Sequence, residues 1–409
     1  NRERRLKGNK LAWCMVGLPS ELLEVFEVDA VWPENYSTAC AAKQSAVDFI
    51  EVAESEGYSP DICSYARCSL GYLREEKRLG SVPPNAPQGG MPEPDMLIAP
   101  SLVCDVRLKW FQAIGTRFMN VPMHVMEIQG VPYGVNVDDE NIREHYVRLY
   151  VAGLEETVRF LENQTGKKLD NRRLSTAIAN SQEAQRLFYE VHELRKGIPS
   201  PMPSEDYFAC IVPQLYMLGT SFAVDFYRNL LEEVRQRVRS GIGVIPDEKC
   251  RLLWVGLPPW FNMGIFNYLE SAGAVSVMET CYYVGKPLQI DPSDGLRALA
   301  ERAWLRATEM QELGAEVCPE NARPGYGIGG APLNLVTQFV REYKIDAVVM
   351  HLTMSCRVLS FGQAHVANEL RHQNVPVLTI ESDMADPRSW ADAEIKGRIH
   401  SLVEMLKKR

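Results

Sequence analysis

The sequence predicts an α/β protein: two parallel-sheet domains of similar plan with a helical domain or insert between them. Three observations predict it. An apolar strand ending in Val-Gly-Leu-Pro occurs twice, at Val16-Gly17-Leu18-Pro19 and at Val255-Gly256-Leu257-Pro258. Each copy is followed by a stretch of helical periodicity and a second apolar strand, the alternation that builds right-handed βαβ crossovers. From Asn141 to Arg239, between the copies, apolar residues recur instead at three- and four-residue steps. These patterns divide the 409 residues, more than one core usually organises, into a first α/β half (1–140), a helical bridge (141–245) and a second α/β half (246–409).

In order along the chain, Lys10 to Pro19 reads as a buried strand that breaks at a Gly-x-Pro turn, and Val28 to Trp32 as the second strand. A short strand then runs into Cys63, with Arg67 and Gly71 on the helix beyond it. Val82 to Gly90, rich in Pro and Gly, is a loop. Asp95 introduces a strand that ends at Cys104. In the bridge, Tyr150 to Leu161 is helical, and another helix starts near Leu169 with Asp170 or Asn171 as its cap. Pro199, Pro201 and Pro203 mark a break. The second half repeats the plan with strands at Arg251 to Pro258, Gly273 to Glu279 and Asp346 to Cys356. It closes with a short parallel strand, Pro376 to Asp383, and a terminal helix from Ala391 to Lys408.

Composition excludes several classes of function. A net charge of −9, with no long basic stripe, argues against nucleic acid as a partner. The run Arg235-Gln236-Arg237-Val238-Arg239 reads as the solvated end of a helix. There is no run of about 18 apolar residues to span a membrane, and no secretory signal is visible at the start. Ten scattered cysteines do not form the spacing of a secreted disulfide framework; they fit a reducing, cytoplasmic compartment with a few functional thiols.

Cys63, Cys104 and Cys356 each sit where a strand is expected to end. Three thiolates at one edge of an α/β sheet can hold an iron–sulfur cluster with one iron left open, and a helix N-terminus behind Cys63 stabilises thiolate and cluster alike. Cys68 is either a further ligand or a buried helix residue, with burial favoured. Cys14 belongs to the core of the first strand. Cys281 and Cys318 can serve a second metal centre, although core or surface positions suit them better. No Cys-x-x-Cys pair exists, so a structural zinc site is not expected. The run Gly325-Tyr326-Gly327-Ile328-Gly329-Gly330 lacks a strand immediately before it and reads as a loop. There is no Gly-x4-Gly-Lys-Ser/Thr anywhere, so ATP chemistry falls to a partner. His124 and His351 read as core histidines, and no Gly-x-Ser-x-Gly elbow supports a hydrolase.

One set of segments resembles a known family: Trp32-Pro33-Glu34-Asn35-Tyr36; Cys63-Ser64-Tyr65-Ala66-Arg67 with Gly71; the strand to Cys104; Ser355-Cys356-Arg357; and Pro376-Val377-Leu378 with Ile380-Glu381, Asp383 and Asp386. Over nearly the whole chain this resembles the 2-hydroxyacyl-CoA dehydratase and benzoyl-CoA reductase family. The resemblance implies two flavodoxin-like domains plus a helical part, and one 4Fe-4S cluster held by Cys63, Cys104 and Cys356. It also implies two partners: a related cluster-bearing subunit and a separate iron–sulfur ATPase activator that injects low-potential electrons singly.

Within that family the expected activity is that of an ATP-dependent aromatic acyl-CoA reductase of the benzoyl-CoA type, which reduces a ring to a cyclic diene. Chain length suits its larger cluster-bearing subunit. Trp32, Asn35, Tyr36 and Ser37 are the expected substrate-binding residues, and Trp260-Phe261 offers further aromatic surface. The alternative is dehydration of an (R)-2-hydroxyacyl-CoA through a ketyl radical, which needs a base for a weakly acidic β-hydrogen. A third reading is an electron carrier or double-cubane-cluster reductase that takes extra ligands from Cys68, Cys281 and Cys318.

Overall fold

The computed structural model describes residues 8–101, 104–128, 130, 136–317, 333–360 and 362–408. Cys318 and the Gly325–Gly330 run lie outside the described residues. The first half of the chain runs β1 (Leu11–Cys14), α1 (Ser20–Phe26), β2 (Asp29–Val31), α2 (Pro33–Ala42), α3 (Ala46–Ser55), α4 (Ser64–Leu79), β3 (Met96–Pro100), α5 (Asp105–Arg117) and β4 (Met123–Met126). Five helices follow: α6 (Glu140–Thr165), α7 (Asn171–Arg195), α8 (Ser204–Cys210), α9 (Val212–Tyr216) and α10 (Ser221–Arg239). The second half runs β5 (Cys250–Val255), α11 (Gly264–Ser271), β6 (Ala274–Glu279), α12 (Leu296–Val317), α13 (Leu333–Glu342), β7 (Ala347–Thr353), α14 (Arg357–Ser360), α15 (Gln363–His372), β8 (Val377–Ser382) and α16 (Asp392–Leu406).

Both sheets are wholly parallel and share one strand order, β2-β1-β3-β4 in the first and β6-β5-β7-β8 in the second. The two-domain α/β plan read from the sequence is therefore observed, including the repeat. Strands β1, β5 and β6 are buried along their whole length, as strands covered on both faces must be. The aspartates that introduce the third strand of each sheet set its register. Asp95 accepts the Leu11 N–H at 2.8 Å and donates its own N–H to the Leu11 carbonyl at 2.7 Å. Asp346 does the same to Arg251, at 2.7 and 2.9 Å. Strand β4 escaped the sequence reading because its four residues are mostly half-buried and His124 interrupts the apolar run.

Two compact units account for the chain. Unit 1 comprises residues 1–182, 214–223 and 288–308, and unit 2 comprises 183–213, 224–287 and 309–409. In unit 1, Ala12, Cys14, Met96 and Ile98 of the sheet pack with Leu22, Phe26, Leu154, Leu161 and Trp304. A buried carboxylate, Glu21 of α1, pairs there with Arg302 of α12 and accepts the Ser181 hydroxyl of α7 at 2.6 Å. In unit 2, Leu253, Val275, Val348 and Met350 pack beneath Val336 and Phe339 of α13 and Val366 and Leu370 of α15. The Arg195 guanidinium of α7 there forks onto Glu279, the last residue of β6, at 2.6 and 2.7 Å, with both side chains fully buried. Removing one partner of such a pair strands a buried charge.

The helix starts follow local chemistry. Asp139 accepts the Asn141 N–H at 2.9 Å at the head of α6. Asp170 accepts from Arg172 at 2.9 Å and Arg173 at 3.1 Å at the head of α7, so of the two expected caps Asp170 is the one used. The three prolines fall in the break between α7 and α8. Helices α3 and α4 press closely together because Gly71 has no side chain: a Cβ there would lie 1.7 Å from the Phe49 carbonyl oxygen. No helix among the described residues is long and apolar enough to cross a membrane.

Two predictions come from this packing. Gly71→Ala forces α3 and α4 apart and is expected to cost about 2–3 kcal/mol in urea unfolding, whereas Gly397→Ala in α16, where the added methyl meets nothing within 4 Å, stabilises by about 1 kcal/mol. Equal effects of the two would contradict the close approach. In unit 2, burial and then the hydrogen bond to Glu270 push the Glu205 carboxyl up to about 8. The folded state therefore holds a proton that the unfolded chain has already released, so Glu205 lowers stability as pH rises from about 5 to 8. The Glu205→Gln variant is expected to show a smaller loss of urea midpoint across that window; an unchanged pH slope would refute the assignment.

Candidate active site at the carboxyl edges of the sheets

In unit 1, β1 leads by way of α1 to β2 on one side, while β3 leads by way of α5 to β4 on the other. Where strand order reverses in this way, a crevice opens at the carboxyl ends of the two central strands. Cys104 stands there as the N-terminal flanking residue of α5, half-buried; β3 itself already ends at Pro100. Cys63 holds the same position on α4 and is also half-buried. The expected strand before Cys63 is absent. Residues 57–63 follow α3 as a turn in which the Asp61 N–H donates to the Ser59 hydroxyl at 3.2 Å, and Ser59-Pro60-Asp61 is turn chemistry rather than strand chemistry.

The Cys-Ser-Tyr-x-Arg segment holds this end of α4 in place. Arg67, buried, donates Nε to the Ile62 carbonyl at 3.0 Å and pairs with Glu54 of α3, which fixes the turn in front of Cys63. The Ser37 hydroxyl reaches the Tyr65 carbonyl at 2.9 Å. On α5, one turn in from Cys104, Arg107 donates Nη1 to the Val16 carbonyl at 3.0 Å and pairs through Nη2 with Glu34 Oε1 at 2.7 Å. The other oxygen of Glu34 accepts the Val16 N–H at 2.9 Å. The side chains of Arg107 and Glu34 are only 15% and 11% exposed. Burial works against the Arg107 charge, but Glu34, and also the thiols of Cys104 and Cys63, hold its pKa above the ordinary guanidinium value. One fixed cation thus lies within electrostatic reach of both cysteines.

The residues expected to bind substrate occupy α2 and its approach. Trp32 is 6% exposed and packs on Tyr216, ring centroids 5.1 Å apart. Tyr36, also 6% exposed, packs edge-on against Tyr72, and Ser37 is fully buried, donating to Pro33 as well as Tyr65. Asn35 alone of the four is half-exposed. Glu34, the residue between them that the sequence reading passed over, is the one that reaches the carboxyl edge. Its signal was available: an acid in the first turn of a helix that leaves a strand through Pro33.

In unit 2, Cys356 follows β7, its N–H donating to the Thr353 carbonyl at 3.0 Å, just ahead of α14. The neighbouring Ser355 N–H donates to Asp383 at 3.3 Å, and Asp383 also accepts from Ala385 and Asp386, so the closing Ile-Glu-x-Asp segment braces the Cys356 turn. Cys281, beyond β6, lies within electrostatic reach of Cys356; burial first, then Cys356 and Glu279, push its thiol up. His351 is buried, which lowers its pKa below the ordinary imidazole value, and its Nδ1 is bonded to the Leu257 carbonyl at 2.5 Å. Among the described residues its Nε2 lacks a hydrogen-bond partner, as do Thr353 Oγ1 and Ser382 Oγ, which occupy paired positions on β7 and β8. Trp260 and Phe261 pack on Phe208 and Trp390 respectively.

Five of the nine described cysteines divide into two chemical groups. Cys14 and Cys68 are fully buried, with thiols raised by burial in Cys14 and by the Cys40 hydrogen bond in Cys68, as core positions require. Cys63, Cys104 and Cys356 are half-exposed at helix starts, the kind of thiol that can serve as an iron–sulfur ligand. Cys63 and Cys104 belong to unit 1 and Cys356 to unit 2. Among the described residues no three His, Cys, Asp or Glu side chains converge on a ready metal site.

Comparison with known proteins gives a match of residues 15–406 to the family described as 2-hydroxyglutaryl-CoA dehydratase, D-component. The chain is 26% identical over 412 residues to the (R)-2-hydroxyisocaproyl-CoA dehydratase alpha subunit of Clostridioides difficile, covering 98% of this chain and 91% of that one. It is 26% identical over 406 residues to the (R)-phenyllactyl-CoA dehydratase alpha subunit of Clostridium sporogenes, covering 99% and 91%. With a benzoyl-CoA reductase subunit of Thauera aromatica it shares 28% identity over 417 residues, covering 98% and 89%.

Proposed function

The chain belongs to the 2-hydroxyglutaryl-CoA dehydratase D-component family, and from that premise we propose that it is a subunit of an enzyme that removes water from an (R)-2-hydroxyacyl-CoA thioester. The match of a dehydratase family along residues 15–406 carries this reading, and relatives named as dehydratase alpha subunits support it. Packing supports it too. The aromatic segment that favoured a flat ring as substrate is occupied internally, with Trp32 against Tyr216 and Tyr36 against Tyr72. Ring reduction of the benzoyl-CoA type is the second reading, favoured by the similarity to the Thauera protein.

In this proposal Cys63, Cys104 and Cys356 hold a 4Fe-4S cluster, which when bound supplies single electrons at low potential and an open iron for a thioester oxygen. The chain's own residues do the rest. Dehydration removes a weakly acidic proton from the carbon next to the one bearing the hydroxyl. Glu34 is the carboxylate placed to take it, with one oxygen held by the Val16 N–H and the other by Arg107, each oxygen keeping a lone pair. The proton leaves carbon for a Glu34 oxygen and is passed on to the departing hydroxide, so that the two leave together as one water and Glu34 returns to its carboxylate form. No net oxidation occurs. A related subunit and a separate ATP-hydrolysing iron–sulfur activator complete the assembly, since the sequence has no phosphate loop of its own.

The redox balance supplies the test. An anaerobic complex is primed with activator, ATP and reductant, stripped of activator and ATP, and offered a panel of (R)-2-hydroxyacyl-CoA esters beside benzoyl-CoA. Dehydration returns the electron, so many turnovers per priming are expected with a hydroxyacyl ester. In the same assay Glu34→Gln is expected to lower kcat by about 10²–10⁴-fold. Product formation only on benzoyl-CoA, in step with ATP and reductant consumed, would establish the second reading instead.

A further inference from the structure

Arg107 is a charge with an unusual mounting. Two of its nitrogens are used by the exit of β1 and by α2: Nη1 on the Val16 carbonyl, and Nη2 on Glu34, which is itself held by the Val16 N–H. The residue after Val16 is Gly17, at φ 110°, so the chain turns sharply away and leaves the Val16 peptide groups to these side chains. Val16 thus binds both members of the ion pair, one through its N–H and the other through its carbonyl. The guanidinium is thereby fixed by backbone rather than by another flexible side chain alone. Arg107 lies one turn into α5 from Cys104, which flanks the start of that helix, and both Cys104 and Cys63 are within its electrostatic reach. Unit 2 offers a contrast, because the arginine beside its own cysteine, Arg357 next to Cys356, is exposed.

We propose that Arg107 is a positioning residue that sets the electron affinity of the group held by Cys63 and Cys104. The proposal rests on the reading of those cysteines as cluster ligands. A cation fixed in a half-buried site interacts with each added electron at low effective dielectric, so it favours the more negative, reduced form. Arginine suits this task because its charge does not titrate away. Glu34 opposes the effect, being an anion on the same mounting, and the pair together tunes the potential.

The test is a spectroelectrochemical titration of the anaerobically purified complex, with iron content and circular dichroism measured on each variant. Arg107→Gln is expected to move the cluster midpoint to a more negative value, and Glu34→Gln to move it to a more positive one. Arg107→Lys, which keeps the charge, is expected to stay near wild type. Opposite signs from two neighbouring substitutions are an electrostatic signature that general damage to the fold does not produce. Midpoints that do not move, or that move in the same direction in both variants, overturn the proposal. If Arg107→Gln loses its iron with the fold intact while Arg107→Lys keeps it, the charge role stands; if Arg107→Lys loses it equally, the role is refuted. A wild-type protein without iron–sulfur absorption overturns the ligand reading itself, and is distinguished from the other outcomes at the first measurement.

Discussion

Parallel pairing sends every strand of a sheet out at the same edge, and in both halves of this chain the central pair then diverges to opposite sides. That constraint gathers otherwise distant segments. In unit 1 it sets the exit of β1, the head of α2 and the head of α5 side by side, so that Val16, Glu34 and Arg107 form one hydrogen-bonded set although they are far apart in sequence. In unit 2 it sets the Cys356 turn after β7 beside the Asp383 turn after β8. The two aspartates that open β3 and β7 act at the opposite edge. By binding both backbone groups of Leu11 and Arg251 they hold the register on which those carboxyl edges depend.

The motif residues divide by role once they are placed. In the proposed function the cysteines at helix starts carry the chemistry, while their sequence neighbours are braces. Arg67 ties the turn before Cys63 to α3, Gly71 lets α4 lie directly on the Phe49 carbonyl, and Asp383 holds the turn that carries Cys356. A ligand held at a half-exposed helix start needs such support, because its own residue contributes little packing. The buried Arg195–Glu279 pair has the same character deeper in unit 2: it joins α7 to the end of β6 at the edge from which Cys281 follows.

Much of this was legible in the sequence. Seven of the eight strands among the described residues coincide with apolar runs, and the repeat of Val-Gly-Leu-Pro foretold the shared topology because the same turn must leave each central strand. Strand β4 was hidden by its brevity and by His124. The stretch before Cys63 was misread because a few apolar and polar residues between two helices give no period to distinguish strand from turn. Trp32 and Tyr36 drew attention as aromatic surface, and only the packing reveals that Tyr216 and Tyr72 cover them. Glu34 and Arg107 were passed over for a different reason. Each is an ordinary helical residue in sequence, and its meaning lies in a partner contributed by another strand exit.

The proposed chemistry depends most directly on Cys63, Cys104 and Cys356 acting as sulfur ligands. Iron, acid-labile sulfide and visible absorption measured on anaerobically purified protein carrying Cys63→Ser, Cys104→Ser or Cys356→Ser, each beside Cys14→Ser and Cys68→Ser, decide it. Loss of iron and of the iron–sulfur absorption in the first three, with retention in the two buried-cysteine variants, is the result expected. Full iron in all three, or equal loss across all five, would contradict the account.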